Sequence, residues 1–251
     1  MSGLGREEQS PQVCIDEQIW TFLVACGYAI TGYQGVAKLS NLLTRQTKNL
    51  DENSKIWLEV LPAAPRKKEG KSHIDLAIGT IVLRQGTKSG IELDVSEKSW
   101  ACFCEMKWYS DASDRVTYDI NRNQLARVIE TAICFQKAGI YAQEVYVDLV
   151  TPELFISPLC KSRLYQYKFN EYQSNSSTLL YDLEQCILEI NKQPEWVYPE
   201  NMAQRIRSLN LIWCSFDELF RNLPESAIAA QIKAFWIKHG EYQGRKLFPI
   251  L

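Results

Sequence analysis

Histidine and methionine are scarce in this 251-residue chain, at two and three residues. No CxxC pair occurs among its eight cysteines, so a structural zinc centre lacks its usual ligand spacing. No apolar run reaches the ~18 residues needed to cross a bilayer. The polar start MSGLGREEQSPQ has no apolar stretch of the kind a secretion signal carries. A soluble, cytoplasmic protein without membrane partners is expected. An excess of positive charge is also missing: 28 basic residues face 30 acidic ones, for a formal charge of -2. Tight, indiscriminate coating of nucleic acid is therefore disfavoured. Neither internal repeats nor low-complexity tracts occur, which sets aside solenoids and disordered arrays.

What is present is ordinary globular composition, 46% hydrophobic and 23% charged. It suits one large domain, or one domain with a substantial extension. Most cysteines sit in apolar runs, and Cys102-x-Cys104 reads as a packed, reduced face of a strand.

Apolar residues at Ile15, Ile19, Trp20, Leu23 and Val24 predict a helix over Val13–Tyr28, and a second is expected over Val36–Thr44. KIWLEVL (55–61) fits a strand or a short helix equally. Beyond the charged loop RKKEGK, short Gly- and Ser-rich turns separate His73–Leu83, Ile91–Val95 and Trp100–Trp108, which predicts a three-strand antiparallel meander. A helix over Asn121–Gln136 follows, with Gly139 as its C-terminal stop, and then a strand over Glu144–Val150. The fold class is α/β, in the order helix, three-strand meander, helix, strand, over residues 1–155. Residues 156–251 read as a mainly helical C-terminal extension, packed on that core or appended to it. Helices are expected there over Ser177–Asn191 and Pro224–Lys238, and a strand over Leu209–Cys214. Ser215 with Glu218 forms a capping box.

The chemistry is concentrated in Asp75, Glu105 and Lys107. Strand alternation puts His73, Asp75 and Ala77 on one face. In ACFCEMKW it puts Glu105 and Lys107 beside Ala101 and Phe103. A Glu-x-Lys pair in so apolar a strand is costly to bury unless its charges find partners. A neighbouring acid and a divalent cation would supply them. Asp94, eleven residues before Glu105, is the rival to Asp75; the longer hydrophobic bracket favours Asp75.

Asp75, then Glu105-x-Lys107 on the last meander strand, then a helix bearing Gln124, resembles the PD-(D/E)xK nuclease superfamily, the restriction-endonuclease-like proteins. The resemblance covers roughly residues 13–150, and NQLARVIE is similar to the glutamine-bearing helix of its recombination-exonuclease branch. It implies hydrolysis of phosphodiester bonds, of DNA more than RNA, assisted by Mg²⁺ or Mn²⁺. Asp75 and Glu105 would hold the ion, with water and the Met106 carbonyl completing its shell. Lys107 would orient the attacking water, Gln124 would hold that water or a phosphate oxygen, and Glu17 in the first helix would be an extra metal ligand. Many relatives are homodimers in which each site cuts one strand.

For substrate contacts, eight basic residues between Lys38 and Lys71 (Lys38, Arg45, Lys48, Lys55, Arg66, Lys67, Lys68 and Lys71) against four acids form a candidate strip, with Arg122 and Arg127 assisting. Asp111, Asp114 and Asp119 read as a solvated loop. The alternative from another class is a nuclease fold without activity, serving as a nucleic-acid or protein binding module.

Overall fold

The first helix, α1 (Glu17–Ala29), starts where the Asp16 carboxylate accepts the Gln18 N–H at 2.9 Å, a side-chain cap on an otherwise unsatisfied donor. Trp20, Val24 and Tyr28, four residues apart, form its buried stripe. Helix α2 (Tyr33–Thr44) packs beside it. The computed structural model describes residues 16–48, 50, 54–69, 73–96, 98–108, 110–111, 122–157, 164–192 and 196–240.

A five-stranded sheet forms the centre, in the order β1-β2-β5-β8-β9. Its strands are β1 (Ile56–Val60), β2 (Ile74–Gly79), β5 (Trp100–Met106), β8 (Glu144–Thr151) and β9 (Leu209–Ser215). The first three are antiparallel, and β8 and β9 run parallel to β5. Every residue of β5 is buried, as expected for a central strand covered on both faces, and its near-continuous apolar sequence follows from that. One face, including Ala77, Phe103, Val147 and Leu149, packs against α3 (Gln124–Ile133), α4 (Leu164–Ser174), α5 (Ser176–Glu184) and α6 (Met202–Arg207). The other, including Leu76, Ile78, Cys102, Cys104 and Tyr146, packs against α1, α2, α7 (Phe216–Arg221) and α8 (Ala227–His239).

The meander differs from the one expected. KIWLEVL supplies its first strand, β1, and β2 pairs directly with β5. The intervening segments form a separate two-stranded sheet, the hairpin β3 (Ile81–Leu83) and β4 (Ile91–Leu93). The cause lies at the end of β2. Gly79 has φ 144°, and a Cβ there would meet the Trp100 carbonyl oxygen at 2.4 Å, so only glycine allows this close approach. Thr80 then exchanges hydroxyl hydrogen bonds with the Trp100 main chain, at 2.9 and 2.8 Å. The chain leaves the sheet at that point.

Helix α3 is shorter than its apolar pattern. Asn123 caps it by accepting the Ala126 N–H at 2.9 Å. After it, β6 (Gln136–Lys137) and β7 (Ile140–Tyr141) form a tight hairpin. Ala138 and Gly139 both take positive φ there, 50° and 81°, the signature of a type I′ turn. Gly139 thus serves this turn rather than stopping a helix. Helix α4 has no counterpart in the expected elements, although Tyr165, Phe169 and Tyr172 bury one stripe.

Residues beyond 155 share the sheet and both cores. Strand β9 pairs with β8 over seven residues. Its Ser215 hydroxyl accepts the Glu218 N–H at 2.9 Å to start α7. Trp236 of α8 lies 5.1 Å from Trp20 and 5.4 Å from Trp108, ring to ring. Among the described residues no helix is long and apolar enough to cross a membrane.

A candidate active site at the carboxyl end of strand β5

Strand β5 ends between the first turns of two helices, α1 from one face of the sheet and α3 from the other. The ladder between β2 and β5 pairs Leu76 with Cys104, so one step further Asp75 stands opposite Glu105. The last residue of β5, Met106, donates its N–H to Asp75 Oδ2 at 2.7 Å; a side chain there takes over from the β2 main chain. On the other side Lys107 N–H still bonds to the Val150 carbonyl at 2.8 Å.

Glu105 and Lys107, two residues apart, project together. Lys107 Nζ is 2.7 Å from Glu105 Oε1 and 3.5 Å from Glu17 Oε1. Gln124, the first residue of α3, donates its Nε2–H to the same Glu105 oxygen. Glu17, in the first turn of α1, accepts the Trp108 N–H at 2.7 Å and the Ser110 hydroxyl at 3.0 Å through Oε2. Glu17, Asp75, Glu105, Lys107 and Gln124 therefore meet in one place, from four separate elements spread over positions 17–124.

Three carboxylates face one ammonium here. Burial pushes the Asp75 carboxyl well above its ordinary range, and the Glu105 charge pushes it further; Lys107 and the Met106 N–H offset only part. For Lys107 burial works downward, but Glu105, Glu17 and Asp75 outweigh it and raise its pKa. Lys107 stays cationic at neutral pH.

No family model, curated protein or solved structure matches this chain.

The donor set suits a hard divalent cation. Mg²⁺ takes one or two carboxylates and fills its octahedron with water, and Asp75 and Glu105 are two carboxylates on adjacent strands. Among the described residues, Asp75 Oδ1 and Glu105 Oε2 take no part in these hydrogen bonds and ion pairs. Glu17, Asp75 and Glu105 do not close to the spacing of a three-carboxylate cage. Only Cys102, Cys104 and Asp148 bring three side-chain donors within 4.8 Å of one another among the described residues.

Other expected residues lie elsewhere. Asp94 follows β4, exposed, with its N–H bonded to the Thr80 carbonyl at 2.9 Å. His73 Nδ1 sits 3.2 Å from the Glu59 carbonyl oxygen. Asp111 caps α4 by accepting the Leu164 and Tyr165 N–H groups at 2.8 and 3.2 Å. Asp114, Asp119 and Lys71 lie outside the described residues.

The basic strip is dispersed by the fold. Arg45 pairs with Glu218, Lys48 with Glu144 and Lys67 with Glu189, while Lys38, Lys55 and Lys68 remain exposed. Arg66 and Arg122 are not surface cations: both are buried. Arg66 Nη2 is 2.7 Å from Glu130 Oε1, and Arg122 Nη2 is 2.6 Å from Glu130 Oε2. Arg122 Nε also pairs with Glu69 at 2.7 Å. Burial works against the Glu130 carboxylate, but the two guanidinium groups outweigh it and hold its pKa low. Burying these guanidiniums requires such partners, and reading along the chain does not reveal acids 53 and 64 residues away. Arg127, one turn along α3 from Gln124, is half-buried, and its Nε has no hydrogen bond among the described residues.

Proposed function

We propose that this protein is a divalent-metal-dependent nuclease with a restriction-endonuclease-like core, hydrolysing phosphodiester bonds of DNA. The observation that carries the reading is the meeting of Glu17, Asp75, Glu105, Lys107 and Gln124 around the end of β5, with Lys107 2.7 Å from Glu105. The order α1, β1-β2-β5, α3, β8, with β8 parallel to β5, supports the same core. In open sheets of this kind, ligands bind beyond the carboxyl ends of parallel strands.

Asp75 and Glu105 would hold Mg²⁺ or Mn²⁺, with Glu17 as a further carboxylate at the rim. When bound, such an ion polarises the phosphate and lowers the pKa of its attacking water. Lys107 is a cation throughout, so it does not take the water's proton. It hydrogen-bonds that water and stabilises the negative charge that develops on the phosphate oxygens. Gln124 fixes the Glu105 carboxylate without adding charge. Arg127 supplies positive charge for the nucleic-acid backbone one helical turn away. A homodimer, with one site per strand, is the corresponding assembly on double-stranded DNA.

Lys107→Ala tests the reading. Plasmid and linear DNA cleavage with Mn²⁺ should fall by about 10²–10³-fold or more, with the far-UV circular dichroism spectrum retained. Undiminished cleavage by the folded variant overturns the assignment.

A further inference from the structure

We propose that Cys102, Cys104 and Asp148 form a second cation site, for zinc, on the face of the sheet opposite the carboxylate cluster. Strand alternation places Cys102 and Cys104 on one face of β5, and the parallel ladder sets Asp148 of β8 directly beside Cys104. All three side chains are buried, and their donor atoms lie within 4.8 Å of one another. Donors on a tetrahedral zinc sit about 3.5–3.8 Å apart, from Zn–S near 2.3 Å and Zn–O near 2.1 Å, so small side-chain rotations close the site.

Asp148 points to a ligand independently of this spacing. Its Oδ2 accepts the Cys102 thiol at 3.2 Å, but Oδ1 is buried with no hydrogen-bond partner. Native interiors rarely leave a carboxylate oxygen so. Two thiols choose a thiophilic ion over Mg²⁺, so this is not the ion proposed for cleavage. Cys214, on β9 and the same face, stays outside this group, its thiol donating to Glu218 Oε2 at 3.2 Å. Arg45 and Glu218, paired with each other, act in opposite directions on Asp148 and Cys214.

None of the three donors reaches solvent, so the ion enters as the chain folds. Full-length protein is therefore expressed in zinc-supplemented medium, dialysed against chelator and analysed for metal. In parallel it is refolded with Co²⁺ and examined for thiolate-to-cobalt charge-transfer absorption. We expect about one zinc per chain and that absorption in the wild type. Cys102→Ser and Asp148→Asn should each lower metal retention by more than about 10-fold, whereas Asp75→Asn should retain it. The proposal is overturned if wild-type protein neither retains zinc nor shows the absorption. It is equally overturned if both variants keep the metal, or if Asp75→Asn alone loses it. Should the variants fail to fold, the absorption of refolded wild type decides, because carboxylate-bound cobalt lacks it.

Discussion

Replacing Asp75 by asparagine should make the metal-free protein more stable while removing the proposed cleavage. The substitution is nearly isosteric, and the asparagine carbonyl can still accept the Met106 N–H that Asp75 Oδ2 accepts at 2.7 Å. It removes a carboxylate that burial and the Glu105 charge both disfavour. Two carboxylates about 5 Å apart, as on adjacent strands, repel by roughly 3 kcal/mol at an effective dielectric constant near 20. Lys107 returns part of this, and desolvation adds to it. Linkage sets a ceiling. A carboxyl with a raised folded pKa contributes stability that is fully present below its unfolded value, near ~3.9, and is lost as pH rises through the folded value. At about 1.4 kcal/mol per pH unit, the loss at pH 7 cannot exceed about 4 kcal/mol. A gain of about 1–3 kcal/mol for Asp75→Asn follows, or roughly 3–9 °C in Tm for a chain of this size. Thermal and urea unfolding in chelator, from pH 4 to pH 8, measure it. The difference should be small at pH 4 and grow towards neutrality. Adding Mn²⁺ at about 100 times its Kd should stabilise the wild type by about 2.7 kcal/mol and leave the variant unchanged. A variant no more stable than the wild type at any pH would refute the reasoning, because Asp75 would then be a compensated structural acid.

Other substitutions separate the roles further. Glu17→Gln keeps an acceptor for the Trp108 N–H but removes a charge beside Lys107, so Mn²⁺-dependent cleavage should fall by about 10–100-fold, less than for Asp75→Asn; equal losses in a DNA cleavage series would argue against a rim position. Arg122→Met leaves Glu69 and part of Glu130 without their cation and should cost about 3–5 kcal/mol in urea unfolding at pH 7. Because the Glu130 pKa is held low, that stabilisation is present above its unfolded value and disappears as pH falls, so the two proteins should converge in acid; a constant gap would exclude the ionic origin.

Much of the site was legible because strand periodicity is short-range. Glu105 and Lys107 sit two residues apart in an apolar strand, so their shared face follows from alternation alone, whereas Asp75 joins them through the register of β2 on β5. That Glu17 and Gln124 join them depends on where α1 and α3 begin, which the Asp16 and Asn123 caps set. Strand pairing was less legible. KIWLEVL carries no decisive period, and the departure of β3 from the sheet depends on a backbone contact between Gly79 and Trp100. The buried charges were hidden for a related reason. Arg66, Glu69, Arg122 and Glu130 look like solvated residues until the fold joins them, and Asp148 reads as one acid in an apolar strand. Counting cations between Lys38 and Lys71 likewise overlooked the acids that arrive from distant segments.

Strand β9 has a practical consequence for any attempt to isolate the carboxylate cluster. A fragment ending near residue 155 would keep Asp75, Glu105 and Lys107 but strip seven consecutive ladder partners from β8, whose residues from Val145 onward are buried. A long apolar strand with an open edge is a template for adding strands from other molecules, so such a fragment would aggregate. It would also uncover Trp108, the residue after Lys107, which Trp236 covers. The smallest autonomous piece that carries the carboxylate cluster therefore extends through α8.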